Sequence, residues 1–384
     1  MSSMKRKIRL FEPIIEDEDI EAVVKVLKSG WIAHGPEVEL FEKEFAEYIG
    51  VSYSAAVSNG TIALTLALKA LGISPGDEVL VPDYTFIATA TAVLMVGAIP
   101  RFVDVEYKTF NIDIEDIPKK ISDRVKAIIA VHLFGHPSDV RALVDIARDK
   151  RLLLIEDAAQ AHGAEAWGQK VGSFGDVAVF SFYATKNMTT GEGGIVASND
   201  SKIIEKIKLL RNHGQVAKYI HAELGGNYRM TSIQAALGRV QLKKLNKLNT
   251  IRRNNAQKLN DKLKYLKEYI ELPYEAPWAK HVYHIYAIKF KKPEHRSCIQ
   301  KCLDSKGIET AIHYPLPLHL QPIFQSLGYE ECCKNALMLS KCELSLPVHP
   351  ALNDQDLDYL STMLTECISS CGKKESEASE AMIW

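Results

Sequence analysis

The sequence predicts an α/β fold, a mostly parallel sheet flanked by helices, joined to a small α+β C-terminal domain. Three observations carry this expectation. Over the first two thirds of the chain, short β-branched runs alternate with amphipathic segments, the pattern of a sheet with helices on both faces. A long polar helical stretch follows. Beyond it, strand and helix patterns mix in a shorter region.

In chain order, Ser54–Val57 reads as a strand leading into the helix Thr61–Leu71. Val79–Val81, Pro100–Val103, Ala127–Val131, Leu152–Glu156, Val177–Ser181 and Gly194–Ala197 read as buried strands. Ile87–Met95, Pro137–Asp149 and Ser201–Arg211 read as amphipathic helices between them. The last begins with Asn199, Asp200 and Ser201, good N-cap chemistry. From about Thr231 to Leu266 the pattern is helical, with enough Lys, Asn and Gln to leave part of it exposed. Then come a strand (His284–Phe290), a helix (Pro293–Ser305), a strand (Glu309–Ile312) and helices near Asn335–Glu343 and Asp354–Ser370. The polar last twelve residues read as a frayed tail.

A chain of 384 residues suggests about two domains. Lys plus Arg number 47 and Asp plus Glu 48, a net charge of -1. No global attraction draws such a chain to nucleic acid or an anionic membrane, so an anionic ligand needs a local pocket. The N-terminal residues hold no apolar stretch of signal-peptide type, and Ile62–Leu71 is too short to span a bilayer. A cytoplasmic placement is expected. Seven cysteines lie between Cys298 and Cys371. The odd count argues against a secreted disulfide framework, and no pair has zinc-site spacing with a matching second half. Buried or surface thiols are expected, and no metal.

Four segments carry chemistry, and each follows a strand end. In SFYATKNMTTGEGG (181–194) a polar, glycine-rich turn places Lys186 just past a strand. Partial desolvation there lowers the amine's pKa, as a Schiff-base lysine needs, and Ser181 can hold a phosphate oxygen. The same pattern fits a surface lysine. In LLLIEDAAQAHGA (152–164) the strand delivers Glu156 and Asp157. An acid there can keep a pyridinium nitrogen protonated; a metal site or helix N-cap fits equally. In SNGT (58–61) a helix N-terminus offers N–H groups and a hydroxyl to a phosphate, or is plain capping. In PDYTF (82–86), Phe86 can stack on a flat ring or pack in the core. The four in series point to one site.

The segments SNGT, PDYTFIATA, IEDAAQAHGA, SFYATKNMTTGEGG and NYRMTSIQAALG, with SGWIAHGPEVELFEKEFAEYIG and HYPLPLHLQPIF, resemble the DegT–StrS family of nucleotide-sugar aminotransferases. The resemblance runs from Ile8 to about Met363. It implies fold-type I, with a seven-stranded large domain that binds pyridoxal 5′-phosphate over 1–247, a small domain over 248–372, and a flexible tail over 373–384. It implies that Lys186 is the Schiff-base lysine and proton shuttle. Asp157 would hold the pyridine nitrogen and Gln160 the phenolic oxygen. Gly60, Thr61 and Ser181 would bind the phosphate, and Phe86 would stack on the ring. Asn227 would reach the phosphate from a neighbouring subunit, which implies a homodimer with shared active sites. Arg229, His313 and Tyr314 fall in the substrate region.

The implied substrates are L-glutamate (or glutamine) and a nucleotide-linked keto-sugar, used in ping-pong order. The lysine motif is similar to that of the GDP-perosamine-synthase-like branch, which aminates C4 of a 4-keto-6-deoxyhexose. The presence of Lys186 disfavours the offshoots that carry histidine there. His132 and His162 read as structural. Two alternatives remain: another keto substrate on the same scaffold, such as a keto-inositol or an aromatic precursor, and a pyridoxal-phosphate-binding regulator without turnover.

Overall fold

The computed structural model describes residues 7–330 and 333–381. Its seven-stranded sheet comprises β1 (Tyr53–Val57), β2 (Glu78–Pro82), β3 (Ile99–Val103), β4 (Val125–Val131), β5 (Leu153–Asp157), β6 (Val177–Ser181) and β7 (Gly194–Ser198). The order is β1-β7-β6-β5-β4-β2-β3, and β7 alone runs against the others. Every position of β2 is buried. Burial on both faces requires cover on both, which is why these strands read as unbroken apolar runs.

The described helices that matter here are α1 (Asp17–Ser29), α2 (Pro36–Ile49), α3 (Gly60–Ala70), α4 (Ala88–Met95), α5 (Val140–Lys150), α6 (Ser201–Leu210), α7 (Ser232–Leu263), α8 (His295–Ser305), α9 (Lys334–Cys342) and α10 (Asp354–Ala381). On one face α3, α4 and α6 bury Leu64, Leu66, Ala90, Val93, Ile204 and Ile207 against the sheet. On the other, Phe41 and Phe45 of α2 meet Phe180, Phe182 and Leu242 of α7. The sequence reading lacks α1 and α2, although their ends carry signals. Glu16 and Asp19 form a capping box and Gly30 closes α1; Pro36 opens α2 and Gly50 closes it.

Helix α7, capped by Thr231 and Gln234, passes through residue 248 unbroken and leads into a second core. There β8 (Ile270–Glu271), β9 (Tyr286–Phe290) and β10 (Glu343–Leu346) form a three-stranded antiparallel sheet. Ile299, Leu303, Leu357 and Leu360 of α8 and α10 cover it. The expected strand Glu309–Ile312 supplies a single bridge, Ala311 to Ser345. The strand beside β9 is β10, which starts where a helix was expected to end. Its four residues follow α9 with no turn between, so helical periodicity hides it. Helix α10 runs on through 373–381, a stretch the sequence reading placed in a flexible tail. Among the described residues no helix is long and apolar enough to cross a membrane.

The thiol expectation needs correction. Cys298 is bonded to Cys371 and Cys302 to Cys367, with Cα atoms 6.1 and 5.8 Å apart. Four-residue spacing puts each pair on one face of its helix, and α8 and α10 lie antiparallel, so the pairs meet as two rungs. The odd total conceals this, because Cys333 and Cys342 stay as buried thiols. Cys332 lies outside the described residues. Such bridges are rare in reducing compartments, so the cysteines lend the expected cytoplasmic placement no support.

One buried acid fixes the sheet's middle. Glu156 accepts the backbone N–H groups of Gly172 at 2.7 Å and of Phe174 and Gly175 at 2.8 Å. His132 Nε2 donates to it at 3.1 Å, while His132 Nδ1 accepts from Ser138 N. These donors outweigh burial and hold the Glu156 carboxyl below its ordinary pKa. Glu156→Ala should cost roughly 3–5 kcal/mol, since it orphans buried donors; denaturant melts would read this. Opening both disulfides with reductant should lower stability by roughly 3–5 kcal/mol, and peptide mapping without reductant should recover the two cross-links named above.

Candidate active site

A cavity of about 710 Å³ opens where β1, β5 and β6 end and α3 begins. At its floor, Asn59 caps α3 by accepting from Ile62 N at 2.9 Å. The helix then starts with glycine for a steric reason. A Cβ at Gly60 would lie 2.8 Å from Ser181 Cβ, and one at Gly194 would lie 2.4 Å from Asn59 O. The first-turn N–H groups, Thr61 and Ser181 are thus drawn into one cup. Orphan helix N–H groups and the helix dipole make it a site for an anion.

Strand β5 separates its two acids by alternation. Glu156 turns away to the loop described above, and Asp157 faces the cavity. Asp157 Oδ2 accepts from Thr89 Oγ1 at 3.0 Å and Oδ1 from Ala159 N at 3.2 Å. Burial pushes its carboxyl above the ordinary value. The choice left open between an acid for a ring nitrogen, a metal site and a cap is narrowed: among the described residues Asp157 belongs to no cluster of three or more metal-type side chains.

Lys186 sits in the turn after β6, its backbone N bonded to Tyr183 O at 2.9 Å. Its Nζ has no hydrogen-bond partner among the described residues. Burial lowers its pKa from 10.5 to about 8, with the Asp157 carboxylate pulling the other way. It is therefore not the surface lysine that the motif also allowed. Gln160 is locked: Oε1 accepts from Phe134 N at 2.8 Å and Nε2 donates to the Tyr314 hydroxyl at 3.1 Å. Phe86 stays 54% exposed at the rim, 6.1 Å between ring centroids from Tyr314. It is not core.

His313 and Tyr314 enter from the second core. Tyr84 clamps them, donating to His313 O at 2.6 Å and accepting from Tyr314 N at 2.7 Å. Burial and the nearby Lys186 lower the His313 pKa to about 4. Two expected residues stay outside this chain's cavity. Arg229 pairs with Val57 through its backbone and holds Asn212 Oδ1 at 2.5 Å. Asn227 pairs with Asn212.

The sequence reading missed Phe11, Thr89, Tyr183, Glu192 and His284, all on the cavity wall. Thr89 had a signal, lying one helical turn past Thr85 in PDYTFIATA, and their hydroxyls are 3.2 Å apart. Phe11 stacks on His284 at 5.8 Å, a contact between distant segments without local signature. His162 is buried against Phe180 and Phe182 and pushed down to about 3 by burial, as a wall histidine would be. Outside the cavity, Asp83, His319 and Cys333 come within 4.8 Å of one another. Asp83 there accepts from His319 N at 2.9 Å and from the His319 ring.

The set can hold a planar phosphorylated aromatic with a basic ring nitrogen: cup at one end, Asp157 at the other, Gln160 at an edge and Lys186 free to attack. Residues 13–365 match the DegT/DnrJ/EryC1/StrS aminotransferase family. The chain belongs to that family. It is 41% identical over 346 residues to the erythromycin biosynthesis sensory transduction protein EryC1 of Saccharopolyspora erythraea, covering 90% of this chain and 93% of that protein. It is 38% identical over 373 residues to a GDP-perosamine synthase of Caulobacter vibrioides, covering 96% of this chain and all of that protein. The crystal structure of S. venezuelae DesV in complex with a ketimine intermediate superposes with a TM-score of 0.87 at 38% identity, covering 91% of this chain and 94% of that one. The fold is thus fold-type I, shared with pyridoxal-phosphate aminotransferases.

Because Asp157 holds the Lys186 pKa up, Asp157→Asn should drop it below about 8. The pH dependence of Lys186 acylation, read by mass spectrometry without added cofactor, should then move to lower pH. A move to higher pH would show that the two side chains do not share a field.

Proposed function

We propose that this aminotransferase binds pyridoxal 5′-phosphate and carries an amino group from L-glutamate to a nucleotide-linked 4-keto-6-deoxyhexose, in two half-reactions. The observation that carries the proposal is the half-buried, hydrogen-bond-free Lys186 amine opposite Asp157, with an anion cup between strand ends. When bound, the cofactor supplies an electron sink for a substrate carbanion.

The chain's residues do the rest. The α3 N-terminus, Thr61 and Ser181 hold the phosphate. Asp157, steadied by Thr89, keeps the ring nitrogen protonated. Gln160 has its oxygen committed to Phe134 N, so only its N–H groups are available to an anionic ring oxygen. Phe86, exposed at the cavity rim, would cover one face of the ring. Lys186 would hold the cofactor through Nζ, and its amine, with its lowered pKa, would accept and return the proton at the substrate carbon. One lysine serves both halves, which suits ping-pong order.

The sugar is proposed on the strength of one relative's name: a GDP-perosamine synthase matches nearly end to end. A homodimer is proposed because Asn227 lies outside its own cavity and in a loop whose Val216, Tyr219 and Leu224 are exposed. The regulator reading draws on EryC1 being named for sensory transduction; an intact lysine, acid and amide weigh against it.

Borohydride treatment with pyridoxal phosphate should label the Lys186 peptide. Lys186→Ala should fold but lose the label and the absorbance band near the visible edge. Labelling at another lysine would sink the assignment. Excess L-glutamate should bleach that band, and a panel of nucleotide keto-sugars should restore it selectively. A band that glutamate and glutamine both leave unchanged would favour the regulator.

A further inference from the structure

Behind the cavity wall, β10 places a carboxyl and a hydroxyl against His313. Glu343 is fully buried. Its Oε2 accepts from the His313 backbone N at 2.7 Å, and its Oε1 lies 2.5 Å from Ser345 Oγ. Ser345 Oγ in turn lies 2.8 Å from His313 Nδ1. The other ring nitrogen, Nε2, has no partner among the described residues, and His313 is on the cavity wall. The three side chains form one hydrogen-bonded chain from a buried acid to the cavity.

We propose that Glu343, acting through Ser345, sets the tautomer of His313, and so decides whether Nε2 donates to or accepts from a group in the cavity. A hydroxyl has one hydrogen, so the chain has only two polarities. With Glu343 protonated, Oε1–H donates to Ser345 Oγ, Ser345 donates to Nδ1, and Nε2 carries the ring proton. With Glu343 ionised, Ser345 donates to Oε1, Nδ1–H donates to Ser345, and Nε2 is a bare acceptor. Between these states one proton leaves. The Nε2 proton passes into the cavity, the serine proton moves to Nδ1 and the acid proton moves to the serine. Glu343 is therefore a positioning residue whose titration is expressed at the cavity. The proposal rests on reading this cavity as the substrate site.

The surroundings favour a switch near neutral pH. Burial raises the Glu343 pKa to about 8, against the Arg296 guanidinium, Ser345 and the His313 N–H. Arg296, from α8, points its Nη1 at Ser340 O and Glu343 O. Tyr84, Tyr314 and Cys342 also face Glu343, and burial raises all three, so they stay protonated. Lys289, its neighbour on β9, is held by Tyr107 O and Glu271. On the cavity side His313 meets Lys186 and His284, and its own low pKa keeps it neutral. Protonated Glu343 prevails below about 8 and the ionised form above it.

The test is ring-¹⁵N histidine NMR on protein loaded with pyridoxal phosphate, with His313 assigned by its loss in His313→Gln. Wild type should pass from the Nε2–H to the Nδ1–H tautomer as pH rises through about 8. Glu343→Gln, whose amide donates to Ser345 as the protonated acid does, should stay Nε2–H throughout. Ser345→Ala should lose the pH response. A wild-type His313 that keeps one tautomer across this range overturns the proposal, as does a Glu343→Gln variant that titrates like wild type. No turnover is needed, so failure of the aminotransferase reading leaves this result intact and separately visible.

Discussion

Burial of an amine beside a buried carboxylate is the constraint around which this site is built. Strands β5 and β6 are parallel neighbours, and they deliver Asp157 and Lys186 to the same sheet edge. Desolvation moves the two groups in opposite directions: the lysine falls to about 8 and the aspartate rises. A shift of this size on the lysine is worth roughly 3 kcal/mol of differential solvation. The cost is tolerable because each charge is partly the other's counter-ion, and because Thr89 and Ala159 N stabilise the carboxylate. A solvated lysine would stay protonated and inert as a nucleophile.

That arrangement needs rigid backing, and neighbouring residues supply it. One position before Asp157, Glu156 gathers three backbone donors and His132, so the strand end cannot rotate. The cup needs glycine at 60 and 194, since a Cβ at either would collide with the opposite wall. The second core closes the cavity through one tyrosine: Tyr84, beside β2, holds both His313 and Tyr314. Helix α8 extends the support outward. It is stapled to α10 by two disulfides and sends Arg296 to the carbonyl of Glu343, behind His313.

Legibility in the sequence followed locality. All seven sheet strands were readable, because most of their residues are buried and apolar. The places of Lys186, Asp157, Ser181 and Gly60 on the cavity were readable because each lies at a strand end or within a few residues of one; Gln160 was named only through the family resemblance. Features made by contacts across the fold were hidden. Nothing near Phe11 announces His284. The Cys298–Cys371 pairing depends on which helix faces meet, and counting cysteines misses it. Strand β10 was lost for a different reason: it abuts α9, and its buried Glu343 and Ser345 break the apolar pattern a strand would show. Arg229 lies outside this chain's cavity, its guanidinium held by the neighbouring amide of Asn212.

Under the proposed function the cavity of this chain is short of positive charge. Among the described wall residues Lys186 is the single cation, and Asp157 and Glu192 are acids. The α3 N-terminus can offset only part of one phosphate's charge, since a helix end carries about half a unit charge. A nucleotide-linked substrate adds a diphosphate, and burying that without cationic partners is unfavourable. For such a substrate, compensating groups would have to come from the cavity mouth or, in the proposed homodimer, from the second copy. The loop that holds Asn227 leads away from its own cavity and presents Lys218 and His221 beside its exposed apolar side chains. A segment both apolar and basic, directed outward from one site, has the chemistry to finish a second one.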